Sequence, residues 1–242
     1  MPRVIILSMI ITFLVGCSST EKNTDTPEAA YSVAQDYEKE ERFEIAIQRY
    51  QEVRNKFIYS KYALMAELSI ADCYFKQESF PEAQVAYQNF KDLHPKHPQI
   101  DYVTYQLALS FFNQLPSTSD RDLALASSTI LYLEETYKNF PNSTYAKDAQ
   151  EKKASVLKML VEKEIYIADF YFKKQKFNSA LTRYEQSLTK YPNHFLESKA
   201  LSKAAICANK LGNKEKAQGF LSKLKSKYSN TSEYEDAEKE MH

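Results

Sequence analysis

The sequence predicts an all-α protein, a solenoid of about five helical hairpins. Only three glycines occur in 242 residues, so the chain is poor in the residues that form tight turns between strands. Long stretches rich in Ala, Leu, Glu, Lys and Gln carry apolar residues at helical spacing. An alanine followed four residues later by a tyrosine recurs in one fixed setting, at Ala46/Tyr50, Ala83/Tyr87 and Ala180/Tyr184.

A second tyrosine precedes each of these alanines by nine residues, at Tyr37, Tyr74 and Tyr171. Proline follows two of the later tyrosines by eight residues, at Pro95 and Pro192. The small alanines allow two helices to approach closely, and the aromatic rings fill the groove beside them. The spacing resembles the tetratricopeptide repeat, which implies a protein that binds other molecules.

The first 16 residues are predicted to be a lipoprotein signal peptide. Arg3 precedes a 12-residue apolar run, Val4 to Val15, which is too short to span a bilayer. The segment Leu14-Val15-Gly16-Cys17 resembles the bacterial lipobox, in which the cysteine becomes the acylated first residue of the mature chain. An ordinary cleavable signal with an incidental cysteine is the alternative.

The residues after the cysteine indicate where the chain is held. Ser18 stands where an aspartate would retain a lipoprotein in the inner membrane, by resemblance to enterobacterial sorting rules. We therefore expect a lipid anchor at Cys17 in the outer membrane of a Gram-negative bacterium, with the chain on the periplasmic face. Residues 17–26 are polar and lack periodicity, which predicts a flexible tether.

The third of the five repeats is irregular, because Phe111 and Thr129 lie 18 residues apart where the other repeats have nine. A continuous helical pattern then connects the third repeat to the fourth, and the polar segment 230–242 is expected to fray. The predicted solenoid covers residues 27–229, with repeats at about 27–60, 61–98, 99–142, 161–194 and 195–229, and a long connecting helix at 143–160.

The composition and the scattered reactive residues argue against several functions. Lysine plus arginine equals aspartate plus glutamate, so no basic field exists to attract nucleic acid. His94 and His97 are each followed by proline and lack further ligands, which disfavours a metal site. Cys73 and Cys207 are 134 residues apart and are expected to be buried, free thiols. We expect no catalytic residue, no metal and no cofactor.

A peptide-binding groove is the expected functional surface. We call the first helix of each hairpin helix A and the second helix B. Helix A carries an alanine three residues before its tyrosine, at Ala34, Ala71 and Ala168. In such repeats, the residue after this alanine and the residue after this tyrosine face the concave side. These positions predict an apolar and aromatic groove with scattered acids, which suits an extended aromatic-rich peptide. Packing between repeats is the alternative role for Phe75 and Phe172. The predicted positions are Gln35/Glu38, Asp72/Phe75 and Asp169/Phe172, with Tyr31, Leu68 and Ile165 four residues before the first of each pair.

The segment His94 to Tyr105, HPKHPQIDYVTY, resembles the central signature of the BamD family, outer-membrane lipoproteins of the β-barrel assembly machinery. The segments Ser119 to Asp122 (SDRD) and Phe140 to Tyr145 (FPNSTY) agree with the same family. The resemblance covers nearly the whole mature chain, including the irregular third repeat. One departure is the loop Phe57 to Tyr62 (FIYSKY), where family members tend to carry an aromatic-proline pair.

The resemblance implies a role without catalysis in folding and inserting outer-membrane proteins. The N-terminal repeats would bind an aromatic-terminated segment of the unfolded substrate, and the C-terminal repeats would dock the POTRA domains of BamA. Other lipoproteins of the assembly machinery are implied as further partners. The substrate-groove residues assigned on this basis are Tyr31, Phe57, Tyr59, Tyr62, Leu68, Asp72 and Phe75.

Arg183 matches by position the family arginine that faces BamA. Arg49 occupies the same place in the first repeat, in IQRY against LTRY, so a solvated repeat residue is the alternative for Arg183. A second functional hypothesis is a periplasmic repeat lipoprotein that organises cell-wall or division enzymes.

Overall fold

The computed structural model describes residues 24–241. The signal peptide, Cys17 and most of the tether lie outside the described residues. Within the described part, the regular elements are all helices, so the predicted class, an all-α helical-hairpin solenoid, is confirmed. None of the described helices is long and apolar enough to cross a membrane. The helices are α1 (Pro27–Lys39), α2 (Phe43–Lys56), α3 (Lys61–Lys76), α4 (Phe80–Leu93), α5 (Ile100–Phe112), α6 (Ala126–Asn139), α7 (Ala146–Lys173), α8 (Phe177–Lys190), α9 (Glu197–Lys210), α10 (Lys214–Tyr228) and α11 (Ser232–Met241).

Local sequence explains where α1 begins. Thr26 is the N-cap, and its hydroxyl accepts a hydrogen bond from the Ala29 amide at 3.2 Å. Pro27 follows at the first helical position, where a missing amide hydrogen costs nothing. Glu28 places a negative charge in the first turn, where it interacts favourably with the helix dipole. Three consecutive residues therefore start the first hairpin.

The turns between the two helices of a hairpin share one strained residue. The residue five positions before the buried alanine of helix B has a positive φ in four of the hairpins. Three of these positions are occupied by residues other than glycine, at a cost of about 1 kcal/mol each. The positions and their φ angles are Glu41 (58°), Glu78 (62°), Gln175 (56°) and Gly212 (77°).

The chain divides into two compact units, with the boundary inside α3 after Ala66. The first unit contains α1, α2 and the start of α3, and α1 packs against α2. Its core includes Ala34, Ala46, Tyr50 and Val53, which have no solvent exposure. The alanine-tyrosine pair thus lies at the contact between the two helices.

In the second unit, from Glu67 onward, consecutive helices from α4 to α10 pack against one another in chain order. Its two alanine-tyrosine pairs, Ala83/Tyr87 and Ala180/Tyr184, are also fully buried. The connecting pattern predicted at 143–160 and the following helix A form one 28-residue helix, α7. Cys73 and Cys207 are both buried, as expected, and neither forms a disulfide within residues 24–241. Burial raises the pKa of the Cys207 thiol to about 12.

The expectation that the C-terminal residues fray is wrong for 232–241, which form α11. Tyr234 and Ala237 lie three residues apart, on one face of this short helix, and both are buried. They pack in a cluster with Leu201 and Leu224. In addition, the Asn209 side-chain amide donates to the Glu240 carbonyl at 2.9 Å. Burial of this small apolar face offsets the polarity of the rest of the segment.

Candidate functional site

Asp72, predicted to face a groove, instead joins three helices of the second unit. The Tyr87 hydroxyl of α4 donates to Asp72 Oδ1 at 2.6 Å, and the Tyr102 hydroxyl of α5 donates to the same oxygen at 2.7 Å. Burial, with the nearby Asp72 charge, raises the pKa of both tyrosines above their usual range. Both phenols therefore stay protonated and act as donors. We call Asp72, Tyr87 and Tyr102 the first acid cluster.

Asp169 of α7 joins three helices in the same way. Tyr184 of α8 donates to Asp169 Oδ1 at 2.6 Å, and Lys199 of α9 donates to Oδ2 at 2.6 Å. Burial raises the pKa of Tyr184, and the hydrogen bond to Asp169 adds to that shift. We call Asp169, Tyr184 and Lys199 the second acid cluster. Sequence reasoning missed Tyr102 and Lys199, although each lies 30 residues after its aspartate.

The other predicted groove residues of the second unit also occupy packing positions. Leu68 is buried. The Phe75 ring contacts Phe80 and Tyr87 edge-on, at centroid distances of 5.4 and 6.4 Å. Phe75 therefore packs between the two helices of its own hairpin, and packing between repeats stays a prediction for it. Contact of Leu68, Asp72 or Phe75 with a bound peptide stays a prediction.

In the first unit, the predicted residues Tyr31 and Tyr62 form an aromatic cluster with Tyr50. The Tyr31 ring lies 5.2 Å from Tyr50 and 5.7 Å from Tyr62, and Tyr31 is buried. The Tyr50 hydroxyl donates to Glu38 at 2.5 Å. In the second unit, the residue 15 positions before the buried tyrosine is an aspartate, Asp72 or Asp169. In the first unit that residue is Gln35, and the carboxylate that accepts from Tyr50 is instead on Glu38, one helical turn later.

The segment Phe57–Tyr62, which we call the aromatic turn, runs from the end of α2 into the start of α3 and presents apolar side chains to solvent. Tyr59 is 97% exposed and Ile58 is 60% exposed. The backbone is held beneath them, because the Ser60 amide donates to the Phe57 carbonyl at 2.8 Å. Lys61 lies 5.1 Å from the Tyr62 ring centroid. Of the predicted groove residues, Tyr59 is the most open to a ligand.

Arg183 links two helices. Its Nη1 lies 3.3 Å from Glu164 Oε2 on α7 and 3.4 Å from the Gln186 side chain. Arg49 instead pairs with Glu52 on its own helix, at 2.9 Å. The Arg183 side chain is 40% exposed. The two arginines therefore share a sequence position but differ in their surroundings.

The histidines of the HPKHP segment have structural partners. His94 Nε2 lies 2.8 Å from Glu67 Oε2, and the Phe90 ring contacts both His94 and His97, at 4.8 and 5.1 Å. Within residues 24–241, no group of three or more His, Cys, Asp or Glu side chains is arranged to hold a metal ion. The described part is a helical-repeat protein whose hairpins are joined by buried aromatic and carboxylate side chains.

Comparison with known proteins places this helical-repeat protein in a family. A family model described as YfiO, outer membrane lipoprotein, matches residues 23–240. The outer membrane protein assembly factor BamD of Neisseria meningitidis serogroup A is 29% identical over 194 residues, 76% of this chain and 73% of the relative. BamD of Vibrio cholerae is 24% identical over 204 residues, 80% of this chain and 85% of the relative. The chain belongs to the YfiO/BamD family of outer membrane lipoproteins, as HPKHPQIDYVTY predicted.

Proposed function

We propose that the protein is a non-catalytic assembly factor for outer-membrane β-barrel proteins. The match to the YfiO family over residues 23–240 carries this proposal, together with the name that its BamD relatives bear. Acyl chains on Cys17 would hold it at the periplasmic face of the outer membrane. Each buried methylene contributes roughly 0.8 kcal/mol, so several acyl chains anchor a protein stably.

The aromatic turn is our proposed contact for unfolded clients. Strands of outer-membrane barrels alternate apolar with polar residues and carry aromatic residues near their ends. Such a segment could pack its rings against Tyr59 and Ile58, which are exposed before any ligand binds. Lys56 and Lys61 flank these two side chains and contact the rings of Phe57 and Tyr62, which places positive charge beside the apolar surface.

The second proposed contact joins Arg183 to a carboxylate of the BamA POTRA domains. Both hydrogen bonds of Arg183 within residues 24–241 use Nη1, so other guanidinium donors are available for an acidic partner. Glu164 is only 16% exposed and holds the arginine in place. A partly ordered guanidinium loses less side-chain entropy on binding than a free one.

The Arg183 contact is tested by affinity purification of the full chain from detergent-solubilised envelopes. Arg183→Glu should reduce BamA recovery about tenfold or more, because it replaces attraction by repulsion. Arg49→Glu is the matched control and should leave recovery unchanged. Circular dichroism should show equal helicity for both variants. Equal BamA recovery with both variants would remove Arg183 from the interface, and retrieval of peptidoglycan synthases or hydrolases in place of BamA would support the cell-wall hypothesis.

The client contact is tested with a fluorescent peptide that ends in an aromatic residue of an outer-membrane barrel strand. Tyr59→Ser should weaken binding about tenfold, since a stacked aromatic anchor is lost. Tyr166→Ser is the control, because Tyr166 is also exposed (59%) but lies on α7. Equal affinities for the two variants would contradict the assignment of the aromatic turn.

A further inference from the structure

A concave surface lies near the C-terminal end of the described residues. It is a cleft of about 770 Å³ formed by the end of α7, the start of α8, the second half of α9, and α11. The cleft exists because α11 folds back onto α9, which the sequence did not predict. Arg183 and the aromatic turn do not line it, so it is separate from both surfaces proposed above.

The cleft contains an apolar surface. Phe172 and Phe177 meet edge to face, with ring centroids 5.8 Å apart. Ile206 of α9 is only 4% exposed and adds aliphatic surface beside the rings. Phe172 was predicted to face a groove, and the structure places it in the lining of this cleft, where it also packs on its neighbour. The two alternatives for Phe172 are therefore compatible.

The walls of the cleft carry a surplus of positive charge. Lys173, Lys203, Lys210 and Lys239 line it, against only two acids, Asp236 and Glu240. Lys210 pairs with Glu240 at 2.8 Å. This hydrogen bond lowers the pKa of the Glu240 carboxyl, and the nearby charges of Lys203 and Lys239 add smaller contributions.

The other three lysines form no ion pair with the residues that the structure describes. Lys203 is half-buried, and its ammonium lies 4.6 Å from the Phe172 ring centroid. A desolvated cation over an aromatic face gains energy from the ring. It gains considerably more from a carboxylate that shares the apolar surroundings. The most sheltered lysine of the cleft therefore has room for an anionic partner.

We propose that this cleft binds an extended, acidic segment of a partner protein that carries at least one aromatic side chain. Charge complementarity identifies the occupant: its carboxylates would pair with Lys203, Lys173 and Lys239, and its ring would pack on Phe172 and Phe177. Nucleic acid fits less well, because Asp236 and Glu240 on the α11 wall would repel a phosphate backbone. The proposal does not depend on the function proposed above.

Fluorescence anisotropy with the full chain in detergent tests the proposal. The probe is a labelled, C-terminally amidated 12-residue peptide in which Glu and Asp alternate with Phe and Tyr. In the matched control peptide, every Glu and Asp is replaced by Gln and Asn. We expect the acidic peptide to bind at least tenfold more tightly than its amide control. The difference should shrink as the salt concentration rises from 50 to 500 mM.

Variants of the chain locate the bound peptide. Lys203→Gln and Lys239→Gln should each weaken binding of the acidic peptide about fivefold, since each removes one charge from the cleft. Lys190→Gln, at the exposed end of α8 outside the cleft, should leave the affinity unchanged. If Lys203→Gln lowers helicity, the exposed Lys239 decides the assignment.

Four outcomes would overturn the proposal. They are equal affinity for the acidic and amide peptides, no measurable binding of either, an equal loss of affinity in Lys190→Gln, and equally tight binding of a neutral peptide whose only carboxylate is a free C-terminus. The last outcome would assign the cleft to chain termini rather than to acidic segments. A fifth outcome would also overturn it: self-association of the chain that the acidic peptide does not reverse would assign the cleft to a second copy.

Discussion

The two acid clusters of the second unit have the same spacing but different chemistry. Each aspartate binds a tyrosine 15 residues later and a second donor 30 residues later. The second donor is the neutral phenol of Tyr102 in the first cluster and the cation of Lys199 in the second. One backbone position in the repeat therefore fixes where the carboxylate goes, while the residue 30 positions later decides whether the contact is neutral or ionic.

This comparison shows how these acids join neighbouring helices of the stack. An aspartate on helix A of a hairpin can bond helix B of the same hairpin and helix A of the next. Stacked repeats contact only their nearest neighbours, so such a bond contributes directly to the contact between repeats. Asp72 and Asp169 therefore contribute to the stability of the repeat stack, and their contact with a bound peptide stays a prediction.

The largest expected effect comes from removing each carboxylate. Asp72→Ala leaves the buried Tyr87 and the largely buried Tyr102 without their acceptor and should lower the free energy of unfolding by about 3 kcal/mol. Asp169→Ala should cost about 2 kcal/mol, because the Lys199 side chain is 37% exposed and can regain water. Urea unfolding followed by circular dichroism measures both values.

A control separates this effect from the loss of any aspartate. Asp92 near the end of α4 is exposed, and its one hydrogen bond within residues 24–241 is from the Gln88 side-chain amide at 2.8 Å. Asp92→Ala should change the free energy of unfolding by less than about 0.5 kcal/mol. A similar cost for Asp92→Ala and Asp72→Ala would contradict the role given to the first acid cluster.

The second expected effect is a loss of stability at alkaline pH. The pKa of Tyr102 is raised in the folded chain from 10.0, by burial and by the Asp72 charge. The unfolded chain therefore loses this proton first, and the stabilisation present below pH 10 decreases as the pH rises further. Tyr102→Phe removes this titration. The stability difference between wild type and variant should thus shrink by about 1 kcal/mol between pH 9 and 11. A stability difference that stays constant over this pH range would contradict the raised pKa of Tyr102.

The smallest effect distinguishes the two clusters by their salt dependence. Lys199→Met should cost about 0.5 kcal/mol at low salt, and 0.5 M NaCl should remove most of that cost, because the ion pair is partly exposed. Tyr102→Phe should cost about 1 kcal/mol at both salt concentrations, because a phenol carries no charge to screen. The same salt dependence in both variants would contradict the assignment of a neutral contact to the first cluster and an ionic contact to the second.

Sequence periodicity predicted the helices well, since Ala83, Tyr87, Ala180 and Tyr184 are buried where the spacing places them. The tyrosine partners of Asp72 were not predictable in the same way, because they lie on two other helices, α4 and α5. The signal available in the sequence was a hydrogen-bond donor 15 residues after each aspartate and another 30 residues after it. For α11, the only local sign was Tyr234 with Ala237 in an otherwise polar segment.

The C-terminal cleft was also beyond the reach of sequence reasoning. Its lysines lie between positions 173 and 239 and are brought together by α7, α9 and α11. The equal numbers of acidic and basic residues in the whole chain gave no sign of a local positive surplus. The aromatic turn was identified through the family resemblance, and the structure adds that Tyr59 is open to solvent.

Depletion of the protein from its host tests the proposed assembly role most directly. Folded, heat-modifiable barrel proteins in the outer membrane are quantified together with the composition of peptidoglycan, before growth slows. The proposed function predicts that the folded barrels decline first while peptidoglycan is unchanged. Normal barrel levels with altered peptidoglycan cross-linking would contradict it and favour a role in organising cell-wall enzymes.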